Sequence, residues 1–277
     1  MSNPVDRPGA LLDPGQLMLI LRVALGAVFV MGGVKLAFPS DAQALAASYV
    51  DPATGWISPF FHQQITDRLG ISVASFLRIQ GWVEIVLGCV LILGVKARLF
   101  AVIAGLLFWS FAVANPVAGE IRLSRDLALG GLCIAVALAG PGRWALSQWG
   151  QASAPWIGER WEITMMLVRF SLTFTLLASG LFSDGIMGNH LNSSVPPALT
   201  LVAGALLALG ARPRWVAAAV VVWLVILIPN TLIGSGLLAG LDSTKREIGL
   251  LAGALVYTLG GPDRGGVFPG PRRGRTQ

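Results

Sequence analysis

Apolar residues run in long blocks along this chain, interrupted at intervals by short clusters of charge, glycine and proline. The blocks predict helical spans at about 16–38, 76–95, 97–115, 124–140, 162–183, 196–211, 213–233 and 246–261, most near the roughly 20 apolar residues that cross a hydrocarbon core. The fourth, sixth and eighth are short and glycine-rich, a composition that lets helix backbones approach closely. The longest connection, 39–75, contains FPSDAQALAASYV and WISPFFHQQITDRLG. Both carry apolar residues at helical spacing but are too short and polar to span, so they read as short helices lying on the outer membrane face.

The pattern also recurs. SRDLALGGLCIAVALAGPGR at 124–143 aligns without a gap with KREIGLLAGALVYTLGGPDR at 245–264, placing Asp126 opposite Glu247. VEIVLGCVLILGVKAR at 83–98 aligns with LTLVAGALLALGARPR at 199–214, and LRVALGAVFVMGGVKL at 21–36 aligns more weakly with VRFSLTFTLLASGLFS at 168–183. Four spans recurring in one order divide the chain into units 1–150 and 151–277. An even number of spans per unit makes them parallel repeats about an axis along the membrane normal. The fold class expected is therefore all-α integral membrane, with eight transmembrane helices as two parallel four-helix repeats. The first repeat has the long outer loop; the second is a degenerate copy with a basic tail.

Composition agrees with a membrane class. The 277 residues are 55% hydrophobic and 12% charged, against about 25% charged in soluble proteins. The formal charge of +6 reads through topology and requires no nucleic-acid partner. Lys96, Arg98, Arg143, Arg212, Arg214, Arg272, Arg273 and Arg275 fall on the side of the termini, which places both termini in the cytoplasm. Trp144, Trp149, Trp156, Trp161 and Trp215 suit an interfacial belt on that same side. The first apolar run exceeds a signal-peptide core and more spans follow it, so it reads as an uncleaved span. Cys89 and Cys133 lie inside apolar runs and read as small buried hydrophobes.

Few residues can carry chemistry inside such a chain. Glu84 is the one carboxylate well within an apolar run, where it must be protonated, paired or facing a polar cavity; its counterpart is Thr200. Arg22 and its counterpart Arg169 read as snorkelling to the cytoplasmic interface. Glu120, Arg122, Arg125 and Asp126 gather at the outer entrance of the fourth span, level with Lys35 and the long loop that carries Trp56 and His62. These groups are expected to converge on one polar pocket above Glu84. Asp242, Lys245, Arg246 and Glu247 gather in the same way before the eighth span and read as surface anchors, which makes the first half the working unit. His62 and His190 both fall in outer loops, and no cysteine pattern suits a cluster, so no haem, iron–sulfur or metal site is expected in this chain. No Walker A, G-x-S-x-G or dinucleotide motif stands in a strand-to-helix setting.

The pattern Arg22, Gly26, Phe29, Gly33, Lys35, Leu36, then Gly81, Glu84, Gly88, Gly94, Arg98, then Arg125, Asp126, Leu127 and the closing Gly140, Pro141, Gly142 resembles the DoxX/DoxD membrane-protein family. The likeness covers the first four spans, with the last four as a degraded copy. It implies a protein of the bacterial inner membrane linked to sulfur-compound oxidation or quinone reduction, like the DoxD subunit of thiosulfate:quinone oxidoreductase. This chain departs from that enzyme in lacking a DoxA-like portion.

Three readings stand open. In the first, the chain is the membrane subunit of a quinone-linked oxidoreductase. Arg125, with Arg122, Trp56 and His62, would bind substrate, Lys35 would attract a sulfur anion, and Glu84 with Asp126 would handle protons for a quinone supplied with electrons by a redox partner. In the second it is a non-catalytic anchor or assembly subunit that docks a periplasmic redox protein. The third is a small-solute transporter. For the topology, a cysteine replacing Ser193 is expected to react with an impermeant maleimide from the periplasm and one replacing Ser147 is not; the reverse labelling would invert the orientation.

Overall fold

In a computed structural model of the chain, residues 12–51, 55, 57–114, 123–146, 157–181 and 197–262 are described. Among them are ten α-helices and one π-helical turn. The helices are α1 (Pro14–Ala37), α2 (Ala42–Val50), α3 (Pro59–Gln63), α4 (Val73–Leu93), α5 (Ala97–Ala114), α6 (Leu123–Ala139), α7 (Ile157–Leu181), α8 (Pro197–Leu209), α9 (Pro213–Ser235) and α10 (Leu237–Gly260). The π turn, Gln64–Arg68, continues α3. Among the described residues, four helices are long and apolar enough to cross a membrane: Pro14–Ala37, Val73–Leu93, Arg160–Leu181 and Pro213–Gly234. α5 and α8 are apolar but shorter.

Local chemistry sets the helix ends. Asp13 caps α1 by accepting from the backbone of Gly15 and Gln16, while the Gln16 side chain accepts from the Asp13 N–H, and Pro14 occupies the first turn, where its missing N–H is no loss. α4 starts on Ser72 and stops at Gly94, whose left-handed φ of 73° ends the helix and turns the chain into α5.

α1, α6, α7 and α10 form the centre of the bundle. Their apolar faces meet through Leu17, Leu21 and Leu25 of α1, Leu129 and Leu132 of α6, Met165 and Val168 of α7, and Leu250 and Val256 of α10, all buried. The other long helices lie outside: α4 along α1, α5 along α6, α8 along α7 and α9 along α10. α1 also packs on α10, and α6 on α7. The outer helices keep large apolar side chains exposed, among them Val86 of α4, Leu106 of α5, Val202 of α8 and Val225 of α9, a surface suited to lipid.

Glycines bring α1 and α4 into backbone contact. A Cβ on Gly33 would lie 2.5 Å from the Gly81 carbonyl oxygen, and one on Gly88 would lie 2.5 Å from that of Gly26. Neither site has room for a side chain. On α7 and α8 the same tightness occurs at Gly180 against Leu201 and at Gly204 against Leu177.

Several expectations change here. Each expected span falls on a helix, but α10 begins at Leu237, so Asp242, Lys245 and Arg246 sit on a helix and not in a loop before it. The short helices of the long connection cover the end of the bundle: α2 packs against α4, with Ala46 buried beside Leu36 and Leu77. Trp161 is buried, its indole N–H donating to the Gly260 carbonyl, whereas Trp144 and Trp215 are exposed. Trp149 and Trp156 lie outside the described residues. Arg22 and Arg169 do not snorkel; both are buried, and Arg169 donates to the Leu207 and Ala208 carbonyls at the end of α8, which replace water as its partners. Cys89 is exposed and Cys133 buried, both as free thiols.

The glycine contacts generate a stability prediction. Gly33→Val must separate α1 from α4 and should destabilise the protein by about 3 kcal/mol or more, read as a lower unfolding temperature in detergent. Gly234→Val, at a site with no neighbour within 4 Å, should leave it nearly unchanged.

Candidate functional site

A cavity of about 610 Å³ opens at the end of the bundle where α1 stops and α4 and α6 start. Its walls are mostly apolar and aromatic: Phe29 from α1, Phe76 from α4, Phe108 and Phe111 from α5, with Phe61 and Ile65 closing over it from α3 and the π turn. Phe29 and Phe108 stack at 4.5 Å between centroids, and Phe108 meets Phe111 edge-on at 6.4 Å.

The polar groups cluster at one end. Glu84 is 5% exposed and faces the cavity from α4. Its Oε1 accepts from Gln80 Nε2 at 2.8 Å, one helical turn away. Its Oε2 rests against Gly32 of α1, where a Cβ would come within 2.8 Å of it, so the glycine makes room for the acid. Asp242 of α10 is held by two lysines, Lys35 Nζ donating to Oδ2 and Lys245 Nζ to Oδ1, both at 2.6 Å. Tyr49 lines the same space from α2. Burial, together with the Glu84 and Asp242 carboxylates, pushes the Tyr49 phenol above its ordinary pKa, so it is a hydrogen-bond donor at neutral pH.

Behind this end lies a buried exchange of charges between α6 and α10. Arg125 Nη1 donates to Glu247 Oε1 at 2.7 Å, and Arg246 donates to Asp126 through Nε at 2.7 Å and Nη2 at 3.3 Å. Each helix carries its arginine and its acid at successive positions, 125–126 on α6 and 246–247 on α10, and each arginine takes the acid of the opposite helix. Each carboxylate thereby gains a cation, which makes its burial tolerable.

The structure thus brings Glu84, Lys35 and Arg125 to one cavity. Asp126 is adjacent but buried in its pair with Arg246, and it does not line the space. His62 is half-buried on α3 and is not among the lining residues. Trp56, Arg122 and Glu120 lie outside the described residues. Sequence reasoning missed Asp242, Lys245 and Arg246, which enter the cavity from the second half of the chain, as well as Gln80 and Tyr49. One signal was present: Arg125–Asp126 and Arg246–Glu247 are aligned pairs of the repeat, and aligned acid–base pairs can exchange partners.

The charges also bear on what the cavity can take. Lys35 and Arg125, expected to attract an anion, each face a carboxylate of the chain at hydrogen-bond distance. Among the described residues, Glu84 is the one cavity carboxylate with no cation within 4.0 Å. The cavity thus combines aromatic walls with one carboxylate that no cation of the described residues pairs. No group of three or more potential metal ligands occurs among the described residues. Compared with protein-family profiles, curated proteins and solved structures, the chain matches none.

Arg125→Leu leaves Glu247 buried without its cation and should destabilise the fold by about 3–5 kcal/mol. The double variant Arg125→Leu with Glu247→Leu should recover most of that loss. Equal unfolding temperatures of the single and double variants would show that the pair is not the stabilising unit.

Proposed function

We propose that this chain is a membrane subunit of a quinone-linked oxidoreductase of the DoxX/DoxD kind, with its cavity receiving the headgroup of a membrane quinone. The supporting observation is a single carboxylate without a cationic partner, Glu84, at the polar end of an aromatic cavity. A quinone ring is flat and apolar on its faces and accepts hydrogen bonds at its carbonyl oxygens. Phe76, Phe108 and Phe111 offer stacking surfaces, and Gln80, Tyr49 and protonated Glu84 offer donors. Ile79 and Val83 line the cavity and are also exposed on α4, beside α5, so an isoprenoid tail can reach lipid between these two helices.

Reduction adds two electrons and two protons to the quinone to give the quinol. The electrons come from a redox partner fed by oxidation of a sulfur compound. Glu84 passes protons from the outer water to the quinone oxygens, one at a time. A sulfur anion is oxidised on the partner and not here, because Lys35 and Arg125 are already engaged.

The architecture that fits this role is eight spans in two parallel four-helix units, 1–150 and 151–277, in a bacterial inner membrane. Several pairs of positions support the repeat. Gly33 and Gly180, and Gly88 and Gly204, are aligned glycines at close helix contacts. Gly94 and Lys96 share positive φ with their aligned partners Gly210 and Arg212. The packing of α1 on α4 and α10 is mirrored by that of α7 on α8 and α6. The distribution of basic residues supports an orientation with both termini in the cytoplasm and the cavity at the outer face.

Purified in mild detergent, the chain should bring with it a cofactor-bearing redox protein, and the pair should reduce a soluble quinone. Glu84→Gln should lower that turnover about 100-fold or more while leaving folding and quinone binding in place. Unchanged turnover would remove Glu84 from the chemistry and favour the reading of the chain as a non-catalytic anchor.

A further inference from the structure

Asp242 holds two lysines where one would neutralise it. Lys35 reaches it from the end of α1 with 41% of its side chain exposed, and Lys245 from α10 with 15% exposed. The two lysines are not equivalent. A Cβ built on Gly32 would stand 2.8 Å from Glu84 Oε2 and 4.0 Å from Lys245 Nζ, so ammonium and carboxylate are separated by no more than the sum of those distances. A lysine stem with four rotatable carbons spans such a gap by rotation alone. The partner it would leave, Asp242, remains paired through Lys35.

We propose that Lys245 is the positioning counter-charge for Glu84: when the carboxyl gives up its proton, the ammonium moves from Asp242 to Glu84, and it returns when the carboxyl is reloaded. The inference rests on the proton role given to Glu84 above and adds the group that makes that role repeatable. Without it, each proton delivered would leave a bare carboxylate in an apolar wall, which is costly. The step balances simply. The Glu84 O–H bond breaks as a quinol O–H bond forms, the electrons come from the redox partner, and a proton from the outer water restores the acid.

The other groups near Glu84 are otherwise committed. α1 contributes Lys35, paired with Asp242; α2 contributes Tyr49; α4 itself contributes Gln80. α5 contributes only Ser110 among polar cavity residues. α6 contributes Arg125 and Asp126, and α10 contributes Arg246, all held in the exchanged pairs. Lys245 is the cation that can leave its acid without stranding it.

The test uses the full chain in detergent with no quinone and no partner, so that its failure is distinct from failure of the quinone reading. The signal is the infrared carbonyl band of a protonated carboxyl that disappears in Glu84→Gln, followed against pH. Removing an approaching cation disfavours the ionised form, so Lys245→Met should move the loss of this band to higher pH by about one unit or more. Lys245→Arg should restore it to within about half a unit, and Lys35→Met should leave it near wild type. Asp242→Asn, which releases Lys245 towards Glu84, should move it to lower pH. A Lys245→Met curve that overlays the wild type, or an equal shift from Lys35→Met, would overturn the proposal. If Lys245→Met does not fold, Lys245→Gln decides: an upward shift supports the switch, and no shift or a downward one refutes it.

Discussion

A guanidinium or carboxylate placed among apolar helices is costly unless a counter-charge or hydrogen-bond partner meets it, and that constraint shapes the end of this bundle where α6 meets α10. Arg125 and Asp126 cannot neutralise each other across the helix face they share, because neighbouring positions on a helix point in different directions. The same holds for Arg246 and Glu247. Each helix solves the problem of the other, Arg125 with Glu247 and Asp126 with Arg246. The exchange ties α6 to α10 at the end of the bundle where the cavity opens, and so holds the walls of the site in register.

Glu84 stands out beside these exchanged pairs. It is buried and hydrogen-bonded to Gln80, yet has no cation at ion-pair distance, and Gly32 gives up its side chain to accommodate it. Around it the cavity is aromatic, and next to it is a carboxylate with one lysine more than it needs. A structural acid would be expected to sit in a closed pair. In the proposed reading this acid passes a proton to a bound quinone headgroup, with Lys245 as its counter-charge.

Much of the fold was legible in the sequence. Hydropathy blocks mark the helices because apolar length sets them, and the ends at Asp13 and Gly94 follow from capping chemistry. Glu84 stood out because a lone carboxylate in an apolar run has few explanations. What escaped was partnership across the chain. Lys245 and Arg246 resemble surface anchors when read along their own segment, and only their position opposite Asp126 and Glu84 reveals otherwise. The aligned Arg–Asp and Arg–Glu pairs carried that information, since two like pairs on facing helices can exchange. Arg169 and Trp161 misled for a related reason: a long amphipathic side chain near a membrane end can turn inward when the bundle offers it a carbonyl, and local sequence does not tell when it will. Arg22 turns inward too, and its buried guanidinium meets no hydrogen-bond partner among the described residues.

The central claim is that the aromatic cavity beside Glu84 is a quinone-headgroup site. Photolabelling with an azido-quinone in membranes, followed by peptide mapping, addresses it most directly. The label is expected on α4 between Phe76 and Glu84 and on α5 between Leu107 and Phe111, and an excess of unmodified quinone should displace it. Label confined to other segments, or insensitive to competing quinone, would contradict the account.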